Sequence, residues 1–152
     1  MPAATTTPRC SIARTLEILG ERWTLLVVRE AFFGATRFSE FRATLGVASD
    51  VLTTRLATLV DHGVMEKLSY RDEGSRERFS YHLTASGRDL HTVLAALKEW
   101  GDEYRPLETG LASEFRRTDD GSPVHLAFVD ENGAMLERAD VELVRRQPVP
   151  MP

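Results

Sequence analysis

Residues 38–84 read FSEFRATLGVASDVLTTRLATLVDHGVMEKLSYRDEGSRERFSYHLT. Phe38, Phe41 and Leu45 mark one face of a three-turn helix, and Ser39 is a good N-cap for it. Gly46 can take the left-handed conformation that ends such a helix and reverses the chain. Ser49 then caps a second helix that runs to His62 and stops at Gly63. Its Leu52, Leu56, Leu59 and Val60 fall within a stripe about 100° wide. The opposite face carries Asp50, Thr54, Thr58 and Asp61, with Val51 and Arg55 at the borders. Beyond Gly63, Leu68 and Tyr70 alternate with Lys67 and Ser69, and Phe79, Tyr81 and Leu83 alternate with Arg78, Ser80 and His82. That is the pattern of two half-buried antiparallel strands around a charged tip, Asp72 to Arg76.

Helix, turn, helix and hairpin in this order are the layout of a winged helix-turn-helix, whose expected partner is double-stranded DNA. Short polar side chains on the exposed face let a helix approach a major groove closely. The expected fold class is α+β, mainly α: a winged helix-turn-helix with an N-terminal helix, a long C-terminal dimerisation helix and a small β-hairpin appendage.

Working outward, Ile12, Leu16 and Leu19 form a short amphipathic helix ending at Gly20. Roughly Trp23 to Phe33 forms a second helix, apolar on nearly all sides at Leu25–Val28, which suits the buried centre of the domain. After the strands, about Ser86 to Tyr104 reads as one long helix ending at Pro106. Its Leu90, Val93, Leu94, Leu97, Trp100 and Tyr104 make a near-heptad seam. Either the seam packs within the chain, or it forms a two-fold dimer contact with help from the first helix, Ile12 and Leu16. A homodimer is favoured, since such readers present two recognition helices about one DNA turn apart.

At 152 residues the chain can bury one modest core. No apolar run approaches the ~18 residues a membrane span needs, and the N-terminus has no secretory pattern. Cys10 is the single cysteine, so no disulfide forms within the chain, and a cytoplasmic protein is expected. The net charge of −4 runs against a DNA binder, but residues 1–106 carry 14 basic and 14 acidic side chains while 107–152 carry 5 and 9. The acid therefore lies in the C-terminal part. Residues 1–9 read as a disordered leader, 10–106 as the DNA-binding and dimerisation domain, and 107–152 as an acidic appendage with a frayed tail. In the appendage Val124, Leu126 and Phe128 alternate, Asp130 to Gly133 is a turn, and Val141, Leu143 and Arg145 resume the alternation.

The stretches CSIARTLEILGERWTLLVVREAFFGATRFSEF, VLTTRLATLVDHGVMEKLSY, RFSYHLTASGRDL and LAALKEWGDEY resemble the HxlR family of bacterial transcriptional regulators, over roughly Cys10 to Tyr104. The resemblance implies a dimeric winged-helix regulator. It implies that Ser49, Asp50, Thr53, Thr54 and Arg55 face the major groove and that Arg78 of the wing reaches phosphate or minor groove. Arg71 and Arg76 are expected as helpers, and Arg37, Arg42 and Thr58 complete the candidate interface. Two features depart from the family. Asp50 stands where many relatives carry a basic or neutral residue, and Gly74-Ser75-Arg76 replaces a wing proline. The C-terminal stretch holds no cysteines, so no metal or other cofactor is expected.

Cys10 aligns with a family cysteine that in some relatives senses oxidants, and it precedes a helix beside Arg9, a setting that promotes sulfur chemistry. The competing reading is a small buried residue. A small-molecule effector between the long helix and the body, near Trp23, Phe32, Phe33, Trp100 and Tyr104, is a further expectation, though aromatics at helical spacing also serve as plain core. No catalytic motif is present, and His62, His82, His91 and His125 pair with no acid or cysteine at ligand spacing, so no enzyme is expected. The alternative function is a winged-helix protein-interaction module without specific DNA binding.

Overall fold

The computed structural model describes residues 10–146; the expected leader and the end of the tail lie outside the described residues. The elements run α1 (Ser11–Leu19), α2 (Arg22–Phe32), α3 (Phe38–Leu45), α4 (Ser49–Asp61), β1 (Met65–Tyr70), β2 (Arg78–Leu83), α5 (Ala85–Asp89), α6 (His91–Tyr104), β3 (Phe128–Val129) and β4 (Met135–Leu136), followed by a 3₁₀ turn at Arg138–Asp140. The chain divides into two compact units at Leu94/Ala95, inside α6.

The first unit is a winged helix-turn-helix. Val27 and Val28 of α2, Phe41 of α3 and Leu52, Leu56 and Leu59 of α4 are buried together with Leu19, Val47, Val64 and Met65. Each large apolar side chain so buried contributes about 2 kcal/mol relative to exposure. The α4 stripe is thus turned inward as its spacing requires. Gly46 ends α3 at φ 62° with its N–H on the Arg42 carbonyl, 2.9 Å. Only a residue at ease in that left-handed conformation lets Val47 tuck into the core one step later.

The helix starts differ from expectation. Arg37, not Ser39, is the N-cap of α3, because the Glu40 carboxylate accepts the backbone N–H groups of Thr36 (2.8 Å) and Arg37 (2.9 Å). Ala48, not Ser49, is the N-cap of α4, with no side-chain cap. A cap is set by where the backbone turns into the helix, and here the turn from Gly46 delivers the chain one residue early.

In the wing, β1 and β2 pair antiparallel with Met65 opposite Leu83, Lys67 opposite Tyr81, Ser69 opposite Phe79 and Tyr70 opposite Arg78. This register places Leu68 and Tyr70 on the face opposite Phe79, Tyr81 and Leu83, so the apolar residues of the two strands do not share one side as their alternation suggests. Leu68 and Phe79 accordingly remain exposed. A third segment adds to the sheet: the Tyr81 N–H donates to the Thr36 carbonyl, 2.7 Å, and Arg37 bridges to Ser80.

The expected long helix is broken into α5 and α6 at Leu90. Thr84 fixes the first piece. Its hydroxyl accepts the Gly87 N–H (3.2 Å) and lies 2.5 Å from the Gly63 carbonyl, to which it donates. Gly87 is buried directly against the Val64 carbonyl. Leu90 and Leu94 then pack onto the core of this unit.

The second unit holds the rest of α6 and the appendage. The hairpin pairs Phe128 with Leu136 and Val129 with Met135, so its second strand is Met135–Leu136; Val141–Arg145 forms no strand. The Asp130 carboxylate fixes the turn by accepting the N–H groups of Asn132 and Ala134, both at 2.9 Å. A second reversal brings the Arg117 N–H to the Ser122 carbonyl, 2.8 Å.

Gly87→Ala tests the junction between wing and helices. A Cβ there would lie 2.1 Å from the Val64 carbonyl oxygen and 3.0 Å from Leu83 Cδ2. Thermal denaturation is expected to show a loss of about 1–3 kcal/mol, the usual cost of overpacking.

Candidate nucleic-acid interface

α4 presents Ser49, Asp50, Thr53 and Thr54 fully to solvent, while Arg55 and Thr58 are half-buried at the edge of the core stripe. The threonine hydroxyls are engaged with the helix itself. Thr53 donates to the Ser49 carbonyl (2.7 Å), Thr54 to that of Asp50 (2.9 Å) and Thr58 to that of Thr54 (3.0 Å). Such bonds hold each side chain close to the helix and keep its outer surface flat.

Arg71, Arg76 and Arg78 are exposed in the wing, and Arg42 on α3. The tip is shaped by Ser75, whose N–H and hydroxyl both reach the Asp72 carbonyl, at 3.0 and 2.8 Å. Asp72, Glu73 and Glu77 share this segment with Arg71, Arg76 and Arg78, so the tip as a whole is electrically balanced.

Arg37 occupies a different setting. Its guanidinium lies over the Tyr70 ring at 4.7 Å and 4.0 Å from the Asp72 carboxylate. Tyr70 in turn sits directly across the strands from Arg78. Arg37 therefore ties the start of α3 to the outer half of the wing. Nothing local in the sequence announces this pairing, because Arg37 and Tyr70 lie 33 positions apart.

The arginines of the first unit fall into two groups. Arg14 reaches Ser11, Arg22 lies over Trp23, Arg29 pairs with the buried Glu30 at 2.5 Å, and Arg88 donates to the Leu83 carbonyl at 2.7 Å. Among the described residues, no hydrogen bond or ion pair of a side chain is found for Arg42, Arg55, Arg71, Arg76 or Arg78. All five lie on α3, α4 or the wing, where free guanidinium groups can meet phosphate or base edges at no cost in internal pairing.

The candidate dimer residues also separate. Ile12 and Leu16 on α1 and Val93, Leu97, Trp100 and Tyr104 on α6 are exposed, whereas Leu90 and Leu94 are partly buried against the core. Cys10 is exposed at the N-cap of α1, not buried. Of the aromatics expected to line an effector site, Trp23 and Phe32 pack against the core and Phe33 is exposed. A cleft of about 210 Å³ lies instead among Ala31, Phe32, Ala35, Thr36, Tyr81, His82, Leu83 and Arg88. No helix among the described residues is long and apolar enough to cross a membrane.

The HxlR-like helix-turn-helix family matches residues 18–109. An uncharacterized HTH-type transcriptional regulator of Mycobacterium bovis is 45% identical over 100 residues, covering 66% of this chain and 62% of the relative. One from Synechocystis is 33% identical over 101 residues, covering 66% and 73%. The chain thus spans about three fifths of the length of the mycobacterial relative. These relatives carry the names of regulators, not of enzymes. Among solved structures, PA1607 superposes with a TM-score of 0.76 at 36% identity, covering 91% of this chain and 96% of that one. The redox regulator HypR in its reduced form gives 0.57 at 28% identity, covering 63% and 94%.

The junction that sets the wing against α3 has a pH signature. The Glu40 carboxyl is held below its ordinary 4.5, first by the Thr36 N–H, then by that of Arg37, with the Arg37 charge assisting. A lowered folded-state value means stability present above the unfolded value and lost as pH falls through the folded one. Glu40→Gln is expected to melt below the wild type at neutral pH, with the two melting temperatures converging as pH drops below 4.5.

Proposed function

The chain belongs to the HxlR-like helix-turn-helix family, and we propose that it acts as a homodimeric transcriptional regulator on a pseudo-palindromic operator. In this reading α4 enters the major groove and the wing lies along the backbone or in the minor groove. The observation that carries it is that, among the described residues of the first unit, the guanidinium groups with no hydrogen bond, ion pair or ring contact are those of Arg42, Arg55, Arg71, Arg76 and Arg78, all on α3, α4 or the wing. In the same reading Arg55 reaches a base edge, and Arg42, Arg71, Arg76 and Arg78 neutralise phosphate. Arg37, committed to Tyr70 and Asp72, chiefly orients the wing.

The dimer contact is assigned to the exposed apolar residues Ile12, Leu16, Val93, Leu97, Trp100 and Tyr104. Leu90 and Leu94, partly buried against the core of the first unit, are left out of it. Two inputs are open to modulate binding. A small molecule in the cleft beside Tyr81, whose backbone joins the wing to Thr36, is one. Oxidation of the exposed Cys10, through a bridge to its copy across the dimer or a small-thiol cap, is the other, and HypR, a relative of the same fold, is a redox regulator.

Gel-shift titration with the DNA upstream of its own gene tests this. Specific binding that weakens with added salt is expected. Arg78→Ala should weaken binding to all sequences and reduce the log–log salt slope by about 1, whereas Arg55→Ala should cost about 1–3 kcal/mol and relax specificity at one base. Absence of both specific and salt-dependent binding would leave the protein-interaction module as the better reading. Leu97→Glu is expected to yield monomers by sedimentation, with operator affinity reduced in parallel. Cys10→Ser should retain DNA binding under peroxide where the wild type loses it; an identical loss in both removes Cys10 from the mechanism.

A further inference from the structure

Asp50 is the acid of the first turn of α4, and its role is not to cap the helix, whose N-cap is Ala48. It is exposed, and among the described residues no hydrogen bond or ion pair of its carboxylate is found. An ionised carboxylate can only accept hydrogen bonds. Its neighbours share that bias, because Thr53 and Thr54 spend their hydroxyl protons on the Ser49 and Asp50 carbonyls. What they turn outward is an oxygen lone pair and a methyl group. Making either hydroxyl a donor to a base would break its bond to the helix, at about 1 kcal/mol. The Asp50, Thr53 and Thr54 side chains therefore present acceptors beside the Ser49 hydroxyl and the N–H groups of the first turn, and Arg55, half-buried one step further on, supplies guanidinium donors.

We propose that the start of α4 reads exocyclic amino groups in the major groove, and that Asp50 selects cytosine at one position of each half-site. The inference rests on the DNA-binding reading above and specifies what that reading recognises. Guanine offers O6 and N7, both acceptors, which repel a carboxylate. Adenine offers its N6 amino group, but the adjacent N7 faces the second carboxylate oxygen with a lone pair. Cytosine offers the N4 amino group with only a C–H beside it, so it alone meets a carboxylate without opposing an acceptor.

The test is selection of bound duplexes from a random pool by the full chain, for wild type, Asp50→Asn, Asp50→Ala and Thr54→Val. The wild type is expected to enrich a site with one cytosine per half-site whose replacement weakens binding roughly tenfold. Asp50→Asn should change that position to adenine, since an amide matches N6 and N7 together. Asp50→Ala should lose the preference there and keep the rest of the site. Thr54→Val, which keeps the shape and methyl but not the oxygen, should retain the cytosine and lose discrimination several-fold at a neighbouring position. Asp50 is exposed and caps nothing, so its variants should melt no more than a few degrees below the wild type, the effect of losing a charge favourable to the start of α4. The same preferred site for wild type and both Asp50 variants overturns the proposal. A wild type that enriches no sequence overturns it together with the regulator reading, whereas enrichment unaffected by Asp50 overturns this inference alone.

Discussion

Complete burial of Leu52, Leu56 and Leu59 against the α2 side of the core is the constraint on which the rest of the first unit depends. Three leucines at helical spacing leave α4 a single rotation about its axis. That rotation exposes Ser49, Asp50, Thr53 and Thr54 and leaves Arg55 and Thr58 at the margin. A helix free to roll by one residue, about 100°, would replace this polar face by a mixed one. The chemistry presented to a groove is therefore decided by the side chains that never reach it.

The wing is secured to the helices at two places. At its base, Thr84 holds the chain after β2 to the loop after α4, and Gly87 lies against the Val64 carbonyl. Along its edge, Thr36 extends the sheet by one hydrogen bond, and Arg37 stacks on Tyr70. The motif Tyr-x-Leu-Thr-x-x-Gly at Tyr81–Gly87 gains a physical meaning from this. Tyr81 and Leu83 border the cleft, Thr84 bridges and caps, and Gly87 permits the close approach. Each residue of this stretch is thus held by packing, whereas Asp50 is exposed on α4.

Element identity was legible from periodicity alone. The α4 stripe, the reversal at Gly46 and the two strands of the wing stand as the spacing of Leu52, Leu56, Leu59, Phe79, Tyr81 and Leu83 predicts. Which residues of the two strands share a face was not legible, because alternation in each strand is visible but the pairing register that aligns the strands is not. The break at Leu90 was also hidden: Leu90 and Leu94 continue a helical seam, and nothing in their spacing marks the bond from the Leu90 N–H to the Gly87 carbonyl, 3.2 Å, at the end of α5. Ser39 and Ser49 have the chemistry of caps, yet the incoming backbone placed Arg37 and Ala48 at those positions. Among the candidate interface residues, each arginine could be named from the sequence, but not which of them were already engaged. Arg37 and Arg78 look equivalent in one dimension.

By itself the amino-acid sequence determined the order of helices and strands as far as the wing, the inward stripe of α4, the displacement of acid into residues 107–152 and the set of polar residues on the exposed face of α4. These follow from local spacing and composition, which need no knowledge of distant neighbours. The tertiary structure decided the wing register, the tie from Arg37 to Tyr70, the cleft beside Tyr81 and the separation of Leu90 and Leu94 from the exposed apolar face of α6. Each of these depends on segments far apart in the chain meeting at a few ångströms. Contact at that range is settled by packing of the whole unit, not by any pattern within one segment.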